Sequence, residues 1–432
     1  MFRKVIGTLG SRIFCTLIAF GIVIINSHEF GSEGLGTIGL FILGITILQN
    51  LTSFVGGPSL VYMLPRNDNF QLIFLSYVFN LLINIAGSIL LVVFHLIEKE
   101  FLWQLLGASI FFSFYYLHSL VILSQEKIKI YNILALCQII LQLSLMLIFL
   151  YFFKIKNVSA YIYAYLFSYA LVWLSSISLV WKNLRFSGFK NLVSLFKQMI
   201  IYGFVIQIAN LAQLLNYRLS YYIIEFCSGR QPLGLFDLGT KLSEAIWILP
   251  KSMATVQYSK ISNCEKDKVY AQKLTLAFLK VAFVFALLST SILLCIPSQW
   301  IGWIFGLEFV ESKLVIIALG FGIIILSCNI ILSHYFSGFG KYKINTIASV
   351  IGLIITAGLG LSFIQTFTEM PYMKVIVSIA AITSFSYTVS FVFTFFCFLK
   401  DTQLKIKDFK IKKNDFQLLL NEIKKTLISG SR

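Results

Sequence analysis

Twelve apolar runs, most of about 20 residues or more, fill the chain between residues 11 and 399. As a helix, a run of that length crosses a bilayer core about 30 Å thick. Lipid offers the backbone no hydrogen-bond partner, so only helices and closed barrels span it, and these runs are too long for barrel strands. The chain is therefore read as an all-α polytopic membrane protein with twelve transmembrane helices. At 58% hydrophobic and 12% charged, it lies well outside the range of soluble domains, which run near 45–50% apolar and about 25% charged.

Charge between the runs alternates. The start of the chain, the even-numbered connections and the tail from Lys400 hold twenty-five Lys and Arg, whereas the odd-numbered connections hold six. Basic connections stay in the cytoplasm, which places both termini there and the spans in the cytoplasmic (inner) membrane. The net charge of +17 then reads as a fringe facing anionic lipid rather than as a nucleic-acid footprint. Arg3-Lys4 and the apolar stretch after them lack a small-x-small cleavage site, so this segment reads as an uncleaved first span. Seven scattered cysteines without a CxxC pair, and four His without metal spacing, give no disulfide framework, no metal site and no cofactor.

Connections are short, and no segment suffices for a sizeable soluble domain. The reading divides the chain into an N-terminal six-helix lobe at 1–182, a basic cytoplasmic linker at 183–198, a C-terminal six-helix lobe at 199–399 and a basic amphipathic cytoplasmic tail at 400–432, the tail lying along the inner leaflet. An internal repeat supports two like halves. Gly31, Leu35, Gly36 and Leu40 match Gly229, Leu233, Gly234 and Leu238 at a constant offset of 198. Each copy falls in the outer turn between the first two spans of its half. An even number of spans per repeat keeps both halves in one orientation, a parallel pseudo-two-fold arrangement in which substrate is expected between the halves. Gly34-Leu-Gly36-Thr-Ile-Gly39 also satisfies GxGxxG, but it joins two spans and lacks the βαβ context that gives the pattern meaning.

An ionisable group at mid-bilayer costs at least about 2.5–3.5 kcal/mol, so such groups face a cavity or one another. They concentrate in the seventh and eighth runs. Asp237, Lys241, Glu244 and Lys251 follow at intervals of four, three and seven residues, one helical face. Arg218 has Glu225 seven residues on, again on one face. Counted from the outer end of its run, Arg218 lies about 12 Å deep at 1.5 Å per residue, with Lys241 at a similar depth. Two readings stand. The cations face a cavity, with Asp237, Glu244 and Glu225 as charge-balancing or ion-coupling partners, or the set neutralises itself, as the i,i+4 pair Asp237 and Lys241 can. Asn210, Gln213 and Asn216 widen a wet face around Arg218. In the first half, Arg12 is the cation placed to face a cavity.

Cations in such a place suit an anionic cargo, because Arg holds phosphate bidentately and Lys supplies a point charge. Polar neighbours suit sugar hydroxyls. Arg218, Lys241, Arg12 and Asn216 are thus the candidate substrate-binding residues. Tyr161, Tyr163, Tyr165, Tyr217, Tyr221 and Tyr222 cluster at span ends and read as interfacial anchors. Gly56-Gly57-Pro58 and Pro250 interrupt equivalent helices of the two halves. They are candidate gating elements, since proline removes a backbone donor and bends a helix.

Several stretches resemble the bacterial oligosaccharide flippases of the multidrug/oligosaccharidyl-lipid/polysaccharide exporter superfamily. They are Leu215-Asn-Tyr-Arg218-Leu, then Gly229 and Leu233-Gly234-Leu-Phe236, then Lys241-Leu-Ser-Glu244-Ala-Ile-Trp247-Ile-Leu-Pro250. Ile304-Phe-Gly306-Leu-Glu-Phe309, Phe336-Ser-Gly338-Phe-Gly340-Lys341 and Tyr62-Met-Leu-Pro65-Arg66 are similar too. The resemblance implies two six-helix lobes, alternating access and an undecaprenyl-diphosphate-linked glycan as cargo, with Arg218 and Glu244 as the best positional matches. Ser220 stands where the family often has Asp, and Phe236 where Tyr is usual, which weakens any specific ion-coupling role.

The expected function is a transporter without covalent chemistry. It would move a lipid-linked oligosaccharide for polysaccharide, lipopolysaccharide or O-antigen biosynthesis, with that lipid, the bilayer and polysaccharide-assembly membrane proteins as partners. The alternatives are a multidrug-type cation antiporter, which should favour acids over bases in its cavity, and a membrane polysaccharide polymerase or ligase, which should carry a large outer loop.

Overall fold

A computed structural model describes residues 2–57, 60, 63–64, 69–125, 127–182, 192–263 and 268–404, with backbone only at 2–9, 69, 205–206, 259 and 262–263. Pro58, Arg66, most of the expected linker and the amphipathic tail beyond 404 lie outside these residues. The described residues are overwhelmingly helical and include no strand.

Among the described residues, twelve long helices follow one another. The first two, α1 (residues 2–30) and α2 (32–56), form one helical run broken at Gly31. Then come α3 (Asn69–Val93), α4 (Leu102–Ser124), α5 (Ile128–Leu147, continued by a wide turn to Phe152) and α6 (Ser159–Trp181). Helix α7 (Leu192–Ser228) leads through Gly229 into α8 (230–263), and α9 (Lys268–Cys295), α10 (Ser312–Gly338), α11 (Tyr342–Ser362) and α12 (Tyr372–Thr402) complete the set. Among the described residues, nine helical stretches are long and apolar enough to cross a membrane, and α7, bent by 44°, is a tenth. One of the nine contains both α1 and α2. Helix α8 is not among them and carries Arg230, Asp237, Lys241, Glu244, Lys251 and Lys260. The protein is a multi-pass membrane protein.

Its surface is that of a lipid-solvated molecule. Leu82, Leu90, Ile133, Ile292, Ile317 and Ile354 are exposed, whereas Asn80, Asn84, His118, Gln138 and Gln142 are buried. Without a hydrophobic drive between helices in lipid, small residues and interhelical hydrogen bonds do the packing. A Cβ on Gly322 would come within 2.6 Å of Ser384 Cα, and one on Gly203 within 2.0 Å of the Phe54 carbonyl oxygen. That carbonyl belongs to the turn before Pro58, which has no N–H to give it. His118 anchors a polar knot. Its Nδ1 meets Ser176 Oγ at 2.6 Å, its Nε2 pairs with the Tyr77 hydroxyl, and Trp173 Nε1 donates to that hydroxyl at 3.1 Å. Ser176 Oγ in turn donates to the Trp173 carbonyl, so a neutral His118 with its proton on Nδ1 satisfies every partner.

Two compact units divide between Leu211 and Ala212, inside α7. Helix α7 already begins at Leu192, within the stretch read as linker. The repeat at offset 198 has a conformational counterpart in each half of the chain. Gly31 sits at φ 67°, ψ −169° and Gly229 at φ 85°, ψ −169°, a region essentially restricted to glycine. A single residue in that region turns the chain between two helices, so the expected turn at 31–36 shrinks to one residue and Gly34 and Gly36 are helical. Each half continues with a 3₁₀ turn before its fourth helix, at Lys99–Phe101 and Leu307–Glu311. In both, the fourth helix packs on the third and sixth, and the fifth on the sixth.

Gly229→Ala should therefore destabilise the protein through its backbone alone, since nothing lies within 4 Å of a Cβ there. The expected loss is about 1–3 kcal/mol, read as a lowered thermal midpoint in detergent. Gly358→Ala is the control. It also has open space around its Cβ but is helical, and should gain up to about 1 kcal/mol.

Candidate functional site

Helices α7 and α8 bring five polar side chains into one connected chain. Arg218 Nη2 donates to Glu244 Oε2 at 2.9 Å and Nη1 to the Tyr221 hydroxyl at 2.9 Å. Tyr221 donates onward to Asp237 Oδ1 at 2.8 Å, and Lys241 Nζ lies 2.6 Å from Asp237 Oδ2. The guanidinium also rests over the Tyr221 ring, 5.1 Å from its centroid. Local geometry explains the order. Arg218 and Tyr221 are three residues apart on α7, and Asp237 and Lys241 four apart on α8, both spacings that place side chains on one face.

Burial is uneven. Asp237 is 2% exposed at its side chain, against 36% for Lys241, while Arg218 and Glu244 stand at 25% and 18%. The two cations thus reach a surface that the deeper carboxylate does not. Two of the five guanidinium N–H groups of Arg218 are engaged by the described residues, which leaves donors for a ligand. Helix α7 runs to Ser228, so Arg218 lies about 15 Å from the helix end at 1.5 Å per residue, deeper than the length of the apolar run implied. That depth is about the middle of a hydrocarbon core about 30 Å thick.

Next to the ion pairs stands an aromatic group. The rings of Tyr217 and Trp247 lie 5.7 Å apart, those of Tyr217 and Tyr387 5.5 Å, and those of Trp247 and Tyr387 6.3 Å. Gln213 donates to the Tyr217 hydroxyl. Lys251 has a ring as partner instead of a carboxylate, its Nζ 5.1 Å from the Trp247 centroid. Pro250 cannot donate to the Ile246 carbonyl, and the helix tightens just there into a 3₁₀ turn at Ala245–Trp247. Pro250 itself is buried within the continued helix.

Arg218, Lys241, Asp237 and Glu244 therefore meet. Two other sequence candidates do not join them. Asn216 is buried, and its Oδ1 accepts from Thr356 Oγ1 at 2.9 Å and Ser386 Oγ at 2.8 Å. It ties α7 to α11 and α12, so its polarity serves helix packing in place of a sugar hydroxyl. Glu225 pairs with Arg230 across the Gly229 break at 3.0 Å, and so balances that cation and not Arg218. Arg12 is an exposed residue of α1 in the other unit. Of the gating candidates, Gly56 faces Asn80 and Gly57 faces Ser53 and Gln207, where a Cβ would come within 3.1 Å of Asn80, 2.4 Å of the Ser53 carbonyl oxygen and 3.0 Å of Gln207. Pro58 lies outside the described residues.

Tyr221 was expected to be an interfacial anchor and is instead the buried link between the two ion pairs. The i,i+3 spacing from Arg218 is the signal that points to it. Tyr387 carries no such signal, because it reaches the group from α12. Among the described residues, no group of three or more His, Cys, Asp or Glu could hold a metal ion.

No protein-family model matches the chain. A capsular polysaccharide biosynthesis protein, CapF of Staphylococcus aureus, is 23% identical over 165 residues, 38% of this chain and 42% of that protein. The aligned stretch thus spans less than half of either protein. The fold is shared much more widely. A lipid II flippase, MurJ, in an inward closed conformation superposes with a TM-score of 0.74 at 16% identity, covering 98% of this chain and 97% of that one. An inward-facing multidrug resistance MATE transporter of the MOP superfamily gives 0.68 at 14% identity, covering 93% and 100%. This chain shares the two-lobe, twelve-helix fold of these two transporters.

Proposed function

We propose that this protein moves an undecaprenyl-diphosphate-linked oligosaccharide repeat unit across the cytoplasmic membrane by alternating access, for polysaccharide or O-antigen assembly. The observation that carries the reading is the charge at mid-depth. Arg218, Lys241 and Lys251 outnumber Asp237 and Glu244, and the third cation, Lys251, lies over the Trp247 ring and makes no ion pair among the described residues. Holding excess positive charge in lipid is costly unless a mobile anion shares the site. A diphosphate is such an anion, and Arg218 has the fork to grip it. The shared fold with a lipid II flippase and the partial likeness to a capsular polysaccharide biosynthesis protein support a lipid-linked glycan. In this reading Glu244 and Asp237 hold the cations while no cargo is bound, no covalent chemistry takes place, and both termini are cytoplasmic.

The fold is equally that of a multidrug transporter, so a cation antiporter is the second reading. The test is a deletion strain of the host organism. Lipid-linked repeat units should accumulate on the cytoplasmic face, the full gene should clear them, and the Arg218→Ala gene should not. Full clearance by Arg218→Ala would remove Arg218 from the mechanism. Unchanged lipid-linked pools with increased drug susceptibility would favour the antiporter.

A further inference from the structure

Two polar atoms beside the ion pairs, Trp247 Nε1 and Glu244 Oε1, have no hydrogen-bond partner among the described residues although both are buried. Trp247 is 2% exposed. The residues are three apart on α8, Glu244 just before the 3₁₀ turn at Ala245–Trp247 and Trp247 at its end, where positions i and i+3 eclipse. Both therefore stand on one side of the helix, and Glu244 holds the Arg218 guanidinium through its other oxygen. A buried polar atom without a partner is costly and calls for one. The indole N–H can only donate, and the carboxylate oxygen can only accept. A phosphate would satisfy the indole and be repelled by the carboxylate. A hydroxyl donates and accepts at once, and so answers both. The Tyr217 and Tyr387 rings beside Trp247 supply apolar faces.

We infer that Glu244 and Trp247 form a saccharide subsite, which takes a hydroxyl of the sugar next to the diphosphate, while Arg218 holds the phosphate. This rests on the proposed lipid-linked cargo. The exposed Lys251 over the Trp247 ring is the side chain that has to swing aside to admit the sugar.

The experiment compares two lipids on the purified full-length protein in nanodiscs, a polyprenyl diphosphate and the same lipid carrying one N-acetylhexosamine. The wild type should bind the sugar-bearing lipid about tenfold more tightly, the scale of a pair of hydrogen bonds to groups that are otherwise unpaired. Trp247→Phe keeps a ring and loses the donor. It should leave the affinity for the sugar-free lipid within twofold, which also reports a folded site, and cut the sugar increment to threefold or less. Trp247→His, which restores a ring N–H, should recover part of the increment and stands in if the Phe variant does not fold. Equal wild-type affinities for the two lipids would overturn the subsite and leave the diphosphate grip intact, as would a full increment in Trp247→Phe or its complete loss in a folded Trp247→His. Binding of neither lipid by the wild type would overturn the grip and the subsite together.

Discussion

Arg218→Ala is expected to lower affinity for a diphosphate-linked lipid by at least about 100-fold. The guanidinium would give the phosphate two charge-assisted hydrogen bonds, each about 1.5–3 kcal/mol, and every 1.4 kcal/mol is a factor of ten. Arg218→Lys should fall in between, because it keeps the charge and loses the fork. The single Ala variant also strands Glu244, whose Oε2 has Arg218 as its partner, so a loss of function by itself has two explanations. The double variant Arg218→Ala/Glu244→Gln separates them. It should regain the stability lost by the single variant, measured by thermal unfolding, without regaining binding. Glu244→Gln alone should bind the lipid more tightly than wild type, since the cargo no longer competes with a carboxylate for Arg218.

Lys241→Met is expected to be the most destabilising single change in the site, and far worse than Asp237→Asn. The asymmetry follows from burial. Asp237 is 2% exposed at its side chain and Lys241 36%. Removing Lys241 takes the ion-pair partner from a buried carboxylate and leaves it the Tyr221 hydroxyl as hydrogen-bond donor, and breaking a buried pair in this way costs about 3–5 kcal/mol. Removing the charge of Asp237 leaves a lysine that can turn to water, and Asn can still accept from Tyr221. A loss of about 1 kcal/mol is the scale there. Lys241→Met/Asp237→Asn should recover most of the stability lost by Lys241→Met. Equal losses for the two single variants would show that the pair is not buried as the structure places it.

The sequence carried the helices because hydropathy is a bulk property of about 20 residues and lipid leaves few alternatives. It carried the Asp237–Lys241 pair because both residues are on one helix at i,i+4. What it did not carry depends on the direction a side chain takes between helices. Asn216 and Arg218 are two residues apart and both polar, yet one is buried among Thr356 and Ser386 and the other reaches Glu244. The fit of α7 against α11 decides that. A Cβ on Gly352 would come within 2.4 Å of Asn216 Nδ2, and no local pattern on α7 encodes it. Tyr387 was invisible for the same reason, being 140 residues beyond Trp247 in the chain. The one-residue breaks were misread as longer turns because glycine at 31, 34 and 36 offers several places to break. Only Gly31 has the backbone angles of a break.

The most direct measurement of the central claim is transbilayer movement in proteoliposomes holding only the purified protein and a fluorescent polyprenyl-diphosphate oligosaccharide. The wild type should move the lipid well above the protein-free rate, and the folded Arg218→Ala/Glu244→Gln variant should not. Movement at the protein-free rate in the wild type, or at the wild-type rate in the double variant, would contradict a cation grip at the centre of transport.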